Sequence, residues 1–191
     1  MISAQRTDYD GLLASFTDRE GAIALLREYR PYLEKLPSLR RPEQSIITIP
    51  LPIVRLRYLP LNDADEGGKQ SNPLAKRIPC DLAVLMCDPE WQIKLGSEIL
   101  VFIHQPHENF SELLTRWRRS QIYLNQGYEW IMPPQEQHMF SEGAEEICPL
   151  FTLTEHTSDH IQRGLNGAGL PFVVHNPVPE KSDPTPELIS E

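Results

Sequence analysis

The sequence predicts an α/β fold, a mixed central sheet flanked by helices, with an α+β sandwich as the alternative. Three observations point there. Strand-like segments alternate with helical ones along the chain. Two runs, DLAVLMC (81–87) and SEILVFIH (97–104), are continuously apolar between turn residues, the pattern of strands buried on both faces. Residues 110–134 then read as an amphipathic helix, a glycine stop and a short strand.

Thr17-x-x-Glu20 has the form of a capping box, in which each side chain satisfies the other's free N–H. Behind it Ala22, Leu25, Leu26, Tyr29 and Leu33 share one helical face. Pro31 either kinks this helix or starts a second short turn, and Pro37 closes the unit. In residues 45–61, Val54, Leu56 and Tyr58 fall on one face and Arg55 and Arg57 on the other, which predicts a half-buried strand. Pro50 and Pro52 cannot donate to a ladder and place this portion at an edge or bulge. The polar, glycine-rich stretch 62–77 reads as a mobile loop within one domain.

CDPEW is a turn, and WQIKLG (91–96) reads as a short strand ahead of the buried one. After the turn QPHEN, Asn109 caps a helix whose apolar face is Phe110, Leu113, Leu114, Trp117 and Leu124. Gly127 sits where a left-handed C-cap belongs, and YEWIM (128–132) follows as a strand. PLFTLTEH (149–156) and FVVH (172–175) are further strands, separated by a short helix that Thr157 or Ser158 caps. The resulting single domain covers 1–176. The proline- and acid-rich remainder, 177–191, has little to bury and reads as a disordered tail.

The formal charge is −9 and is uneven: residues 1–130 hold 16 Lys and Arg against 17 Asp and Glu, residues 131–191 hold 2 against 10. Phosphate backbones repel such a surface, which disfavours nucleic acid as a partner. No apolar run approaches the roughly 20 residues of a membrane span, and the N-terminus lacks the pattern of a secretory signal, so a soluble, cytoplasmic protein is expected. Three cysteines, Cys80, Cys87 and Cys148, have no paired spacing and read as small apolar residues in or near the core.

The chain has no GxGxxG, GxxxxGK[ST], GxSxG, HExxH or CxxC motif. His156-x-x-x-His160 has the spacing of two zinc ligands on one helical turn, with Cys148, Glu155 or Asp159 as a third, but a solvated or locally hydrogen-bonded pair is the favoured reading. His104 and His107 flank Pro106 in a turn. Arg116, Trp117, Arg119, Tyr123 and Trp130 are the candidate binding residues, the arginines with Trp117 as a grip for phosphates; the favoured reading of the arginines is a helix whose polar faces happen to carry them. Asp81, Glu90 and Glu98 with Lys94 have the composition of a metal-dependent nuclease centre, in which acids hold a divalent cation and a lysine helps activate water.

Residues 79–134 resemble the Uma2-like proteins, relatives of the restriction endonucleases of PD-(D/E)XK type. PCDLAVL, the strand ILVFI, the turn at Pro106 and the helix–strand from Arg119 through Tyr123 and Gly127 to Trp130 carry the likeness. The resemblance implies a restriction-endonuclease-like core and, for intact members, Mg²⁺-dependent DNA cleavage. Asp81 matches the first acid, and Tyr123, Gly127 and Trp130 match scaffold positions. Arg119 stands where the family has lysine, Phe102 falls at the second acid, and the Pro106–Arg119 spacing is longer. The expectation is therefore a degenerate nuclease-like protein that needs no cofactor and binds another protein, a homodimer being compatible, with Trp91, Trp117, Tyr123, Tyr128 and Trp130 mostly in the core. The alternatives are a Mg²⁺-dependent endonuclease using Asp81, Glu90 or Glu98, and Lys94, and an acidic DNA-mimicking inhibitor acting through residues 136–191.

Overall fold

The structure, a computed structural model, describes residues 2–57, 75–136 and 145–175. Five helices and eight strands follow in the order α1 (Ile2–Thr17), α2 (Arg19–Glu28), α3 (Arg30–Leu33), β1 (Ile46–Pro50), β2 (Ile53–Leu56), β3 (Ala75–Arg77), β4 (Leu82–Cys87), β5 (Lys94–Ile103), α4 (Phe110–Leu124), β6 (Tyr128–Trp130), β7 (Glu146–Thr154), α5 (Asp159–Gly167) and β8 (Phe172–His175). The main sheet is mixed, in the order β1-β4-β5-β7-β8. β1, β4 and β5 are antiparallel neighbours, and β7 and β8 continue the sheet in parallel. This is the expected α/β architecture. A second, antiparallel sheet of order β3-β2-β6 accompanies it.

Strand parity decides what each face of the main sheet meets. Leu82, Val84, Met86, Ile99, Val101 and Ile103 pack with Leu12, Phe16, Leu25 and Leu26 of α1 and α2. Ala83, Leu85, Leu100, Phe102, Phe151 and Leu153 pack with Leu113, Trp117 and Leu165 of α4 and α5 and with Val54, Leu56, Tyr128 and Trp130 of the small sheet. All six residues of β4 are buried, which is why its sequence is an unbroken apolar run. Phe102 stacks on Phe151 with centroids 5.2 Å apart and meets Trp117 edge-on at 5.9 Å. The three cysteines are buried and free.

Several local expectations change. Thr17 does not cap the second helix, because α1 runs on through it and its hydroxyl donates to the Leu13 carbonyl at 2.7 Å. Asp18 is the cap, accepting from the N–H groups of Glu20 and Gly21. α1 itself escapes the sequence reading because Gly11 falls in its middle and its apolar residues form only a weak stripe; Leu12 and Phe16, with Tyr9 and Leu13 beside them, supply its described contacts with the core. Pro31 lies in the first turn of a separate short helix, α3. The strand read over 45–61 breaks after Pro50. Leu51 adopts φ 45°, and β1 and β2 enter different sheets. β1 lies at an edge of the main sheet, where a proline is tolerated.

WQIKLG and SEILVFIH do not form two strands. Lys94–Ile103 is one strand of ten residues. Trp91, expected mostly in the core, is instead 77% exposed at a hairpin tip, where the Asp88 carboxylate accepts from the N–H groups of Glu90 and Trp91. Trp117, Tyr128 and Trp130 are buried as expected, and Tyr123 is half-buried. Ala75–Arg77, read as loop, form β3; the rest of that loop, Tyr58 and the tail 177–191 lie outside the described residues. Asn109 caps α4 with a full capping box closed by Glu112. Gly127 takes φ 75°, the left-handed region glycine favours, and turns the chain from α4 into β6. No helix among the described residues is long and apolar enough to cross a membrane.

Candidate functional site

Asp81 immediately precedes β4. Its N–H donates to the Val101 carbonyl at 2.9 Å, one step beyond the Leu82–Val101 pair, which sets it against Phe102. Asp81 is 3% exposed, and its carboxylate accepts three hydrogen bonds. Oδ2 receives the Ile103 N–H at 2.7 Å and Arg116 Nη2 at 2.5 Å; Oδ1 receives the Tyr9 hydroxyl at 2.7 Å. One carboxylate thus joins α1, β5 and α4. Burial, and then the Asp81 carboxylate, push the Tyr9 phenol well above its ordinary value.

Arg116 is equally occupied. It donates to the carbonyls of Pro79 at 3.1 Å and Ile103 at 3.3 Å, and its Nη1 lies 3.2 Å from Glu108 Oε2. Its guanidinium also lies over the Phe102 ring, 5.5 Å from the centroid. Burial opposes its charge, yet Asp81 and Glu108 outweigh burial and hold the guanidinium above its ordinary pKa. A cationic side chain therefore stands between two carboxylates.

Glu98 lies on the same sheet face, opposite Leu85. That pair is four residues along β4 from Asp81, about 13 Å at the rise of a strand. Glu98 is fully buried. Its Oε1 accepts from Lys94 Nζ at 2.7 Å and Trp130 Nε1 at 2.6 Å, and its Oε2 from the Tyr128 hydroxyl at 2.5 Å. Residues four apart in a regular strand do not meet. Here the register shifts between Leu85 and Cys87, so that Lys94 pairs with Cys87, and this bulge carries the ammonium back onto Glu98. Only 4% of the Lys94 side chain is exposed.

The four sequence-derived acid and lysine candidates are thus divided. Asp81 belongs with Arg116, and Glu98 with Lys94. Glu90 is exposed on the Trp91 hairpin, 3.1 Å from Arg41. The candidate binding residues also separate. Trp117 packs in the core, Trp130 serves Glu98, Tyr123 lies under Lys76 at 5.4 Å, and Arg119 is exposed one turn beyond Arg116. Arg116 rather than Arg119 is the α4 cation that reaches Asp81.

His156 precedes α5, its side chain 83% exposed and Nε2 3.6 Å from Glu155. His104 fastens a turn, Nε2 2.9 Å from the Glu108 carbonyl and Nδ1 3.4 Å from the Thr157 hydroxyl. Among the described residues no three His, Cys, Asp or Glu side chains gather as metal ligands would. Sequence reasoning missed Tyr9 and Glu108. Tyr9 lies on the helix that periodicity did not reveal, and Glu108 precedes the α4 cap with nothing local to mark it.

A carboxylate has about four acceptor positions, and Asp81 and Glu98 each use three on protein donors. A cavity of about 640 Å³ opens beside the ends of β5 and β7, lined by Tyr9, His104 and His160 among others. Asp81 does not line it; the Tyr9 ring stands there. Comparison of the chain with protein-family models, with curated proteins and with solved structures finds no match in any of the three.

Proposed function

We propose that the chain is a non-catalytic protein-binding or assembly protein built on a degenerate nuclease-like core. The observation that carries this reading is the placement of Arg116 between Asp81 and Glu108. A hydrolytic nuclease centre needs its acids to present free lone pairs to a divalent ion and an attacking water. Here a guanidinium of the chain itself takes that electrostatic role at the first acid of the motif. Two further features support the reading. The residue set against Asp81 is the apolar Phe102, and the remaining acid and lysine of the pattern, Glu98 and Lys94, satisfy each other about four residues away along the sheet.

The test is cleavage of supercoiled plasmid by the full chain in Mg²⁺ or Mn²⁺. The plasmid is expected to stay intact. Nicking or linearisation by the wild-type chain that disappears in Asp81→Ala would establish the endonuclease reading instead and overturn this one.

A further inference from the structure

The outer face of the small sheet gathers arginines in a chain of net negative charge. β2 alternates exposed and buried, so Ile53 and Arg55 point outward, with Arg57 exposed just beyond. Ile53 stands opposite Arg77 of β3, and Arg55 opposite Ala75 of β3 and Glu129 of β6. Residues directly opposite in a ladder share a face, which gathers Arg55, Arg57 and Arg77 around Ile53. Ile131, whose N–H donates to the Ile53 carbonyl, extends the apolar part. Ile53 and Ile131 are 42% and 38% exposed. Among the described residues Glu129 is the acid on this face, 3.8 Å from Arg57, and Arg55 and Arg77 add positive charge beside it in a chain of net charge −9. Their backbones pair in the ladder, but the side chains of Arg55 and Arg77 make no hydrogen bond or ion pair among the described residues.

We infer that this face is the docking surface of the protein, and that its occupant is an acidic protein segment carrying aliphatic side chains. The inference rests on the binding-protein reading above and names the partner's chemistry. Arginine is the cation suited to such a face, because its planar fork matches a carboxylate bidentately and is weakly hydrated. Isoleucines between the arginines present nothing to a phosphate backbone but bury favourably against aliphatic side chains. The charge of the chain as a whole repels a long polyanion, while a short acidic segment meets only the local positive field.

The experiment is fluorescence anisotropy with the full chain and three labelled probes: a synthetic peptide of glutamate and leucine, its lysine-for-glutamate counterpart, and a DNA duplex. Saturable binding is expected for the acidic peptide alone, weakened by added salt and at least about tenfold by Arg55→Glu combined with Arg77→Glu. Ile53→Ser is expected to weaken it as well. These residues are exposed, so circular dichroism of the variants should match the wild type. Binding that survives charge reversal, tighter binding of the duplex, or no binding of the acidic peptide would each overturn the inference. The plasmid assay is independent. An inactive chain that ignores the peptide loses this surface but not the non-catalytic reading, whereas a chain that cuts plasmid and still binds the peptide loses the latter and keeps the surface.

Discussion

The two ends of one sheet face solve the same problem differently. At one end Asp81 meets a cation from another element, Arg116 of α4, together with a hydroxyl from α1. At the other, Glu98 meets a cation from its own strand, Lys94, together with two donors from β6. Isolated buried charges are too costly to keep, so each carboxylate must be paired and hydrogen-bonded. The difference lies in what each pair joins. Asp81 clamps three elements drawn from both sides of the main sheet, whereas Glu98 fastens the small sheet to the large one. Exposure differs too: the Arg116 side chain is 20% exposed, that of Lys94 only 4%.

That difference predicts an order of effects. Lys94→Met should be the most damaging, leaving Glu98 charged and unpaired in a dry site. A loss of about 3–5 kcal/mol is expected from denaturant unfolding. Arg116→Met should cost less, about 2 kcal/mol, because each carboxylate keeps two other donors but water reaches the Arg116 site and not the Lys94 site. An equal or larger loss at Arg116 would mean that clamping three elements outweighs burial and would overturn that order.

Tyr9→Phe should be mildest, about 1 kcal/mol, since it removes one of three donors from Asp81. Its effect should be local, read as faster amide exchange in α1 with α4 unchanged. The phenol also has a pH signature. Its pKa is raised in the folded state, so its contribution is fully present below the unfolded value of 10.0 and is lost as pH rises above it. Wild type should therefore lose more stability than Tyr9→Phe on titration from neutral pH to above 10. Parallel curves would show that Tyr9 does not report on the Asp81 clamp.

Much of this architecture is legible locally. The apolar run of β4, the span of β8 and the Asn109 cap follow from patterns over four to nine residues, because burial on both faces, strand pitch and capping each leave a short-range mark. The same local reasoning failed where tertiary contacts overrode it. α1 shows little amphipathic pattern and is held by the core it covers. The 45–61 segment alternates as one strand should, yet a left-handed Leu51 between two prolines divides it between two sheets. The Trp91 hairpin turns outward because Asp88 caps it, which composition does not disclose.

Of the candidate site, the sequence itself determined the residue types: a carboxylate before a buried strand, a second acid with a lysine four positions earlier, arginines on one helix, and alternating arginines in a strand. Tertiary structure alone decided their partners. Tyr9 and Arg116 reach Asp81 across 72 and 35 residues of chain, and Tyr128 and Trp130 reach Glu98 across 30 and 32. Such pairings depend on strand register, on the bulge that folds Lys94 back, and on how α1 and α4 dock. Periodicity records which face a residue takes, because that is set within a few residues. It carries no record of which distant group will stand opposite, because that is settled only when the layers pack.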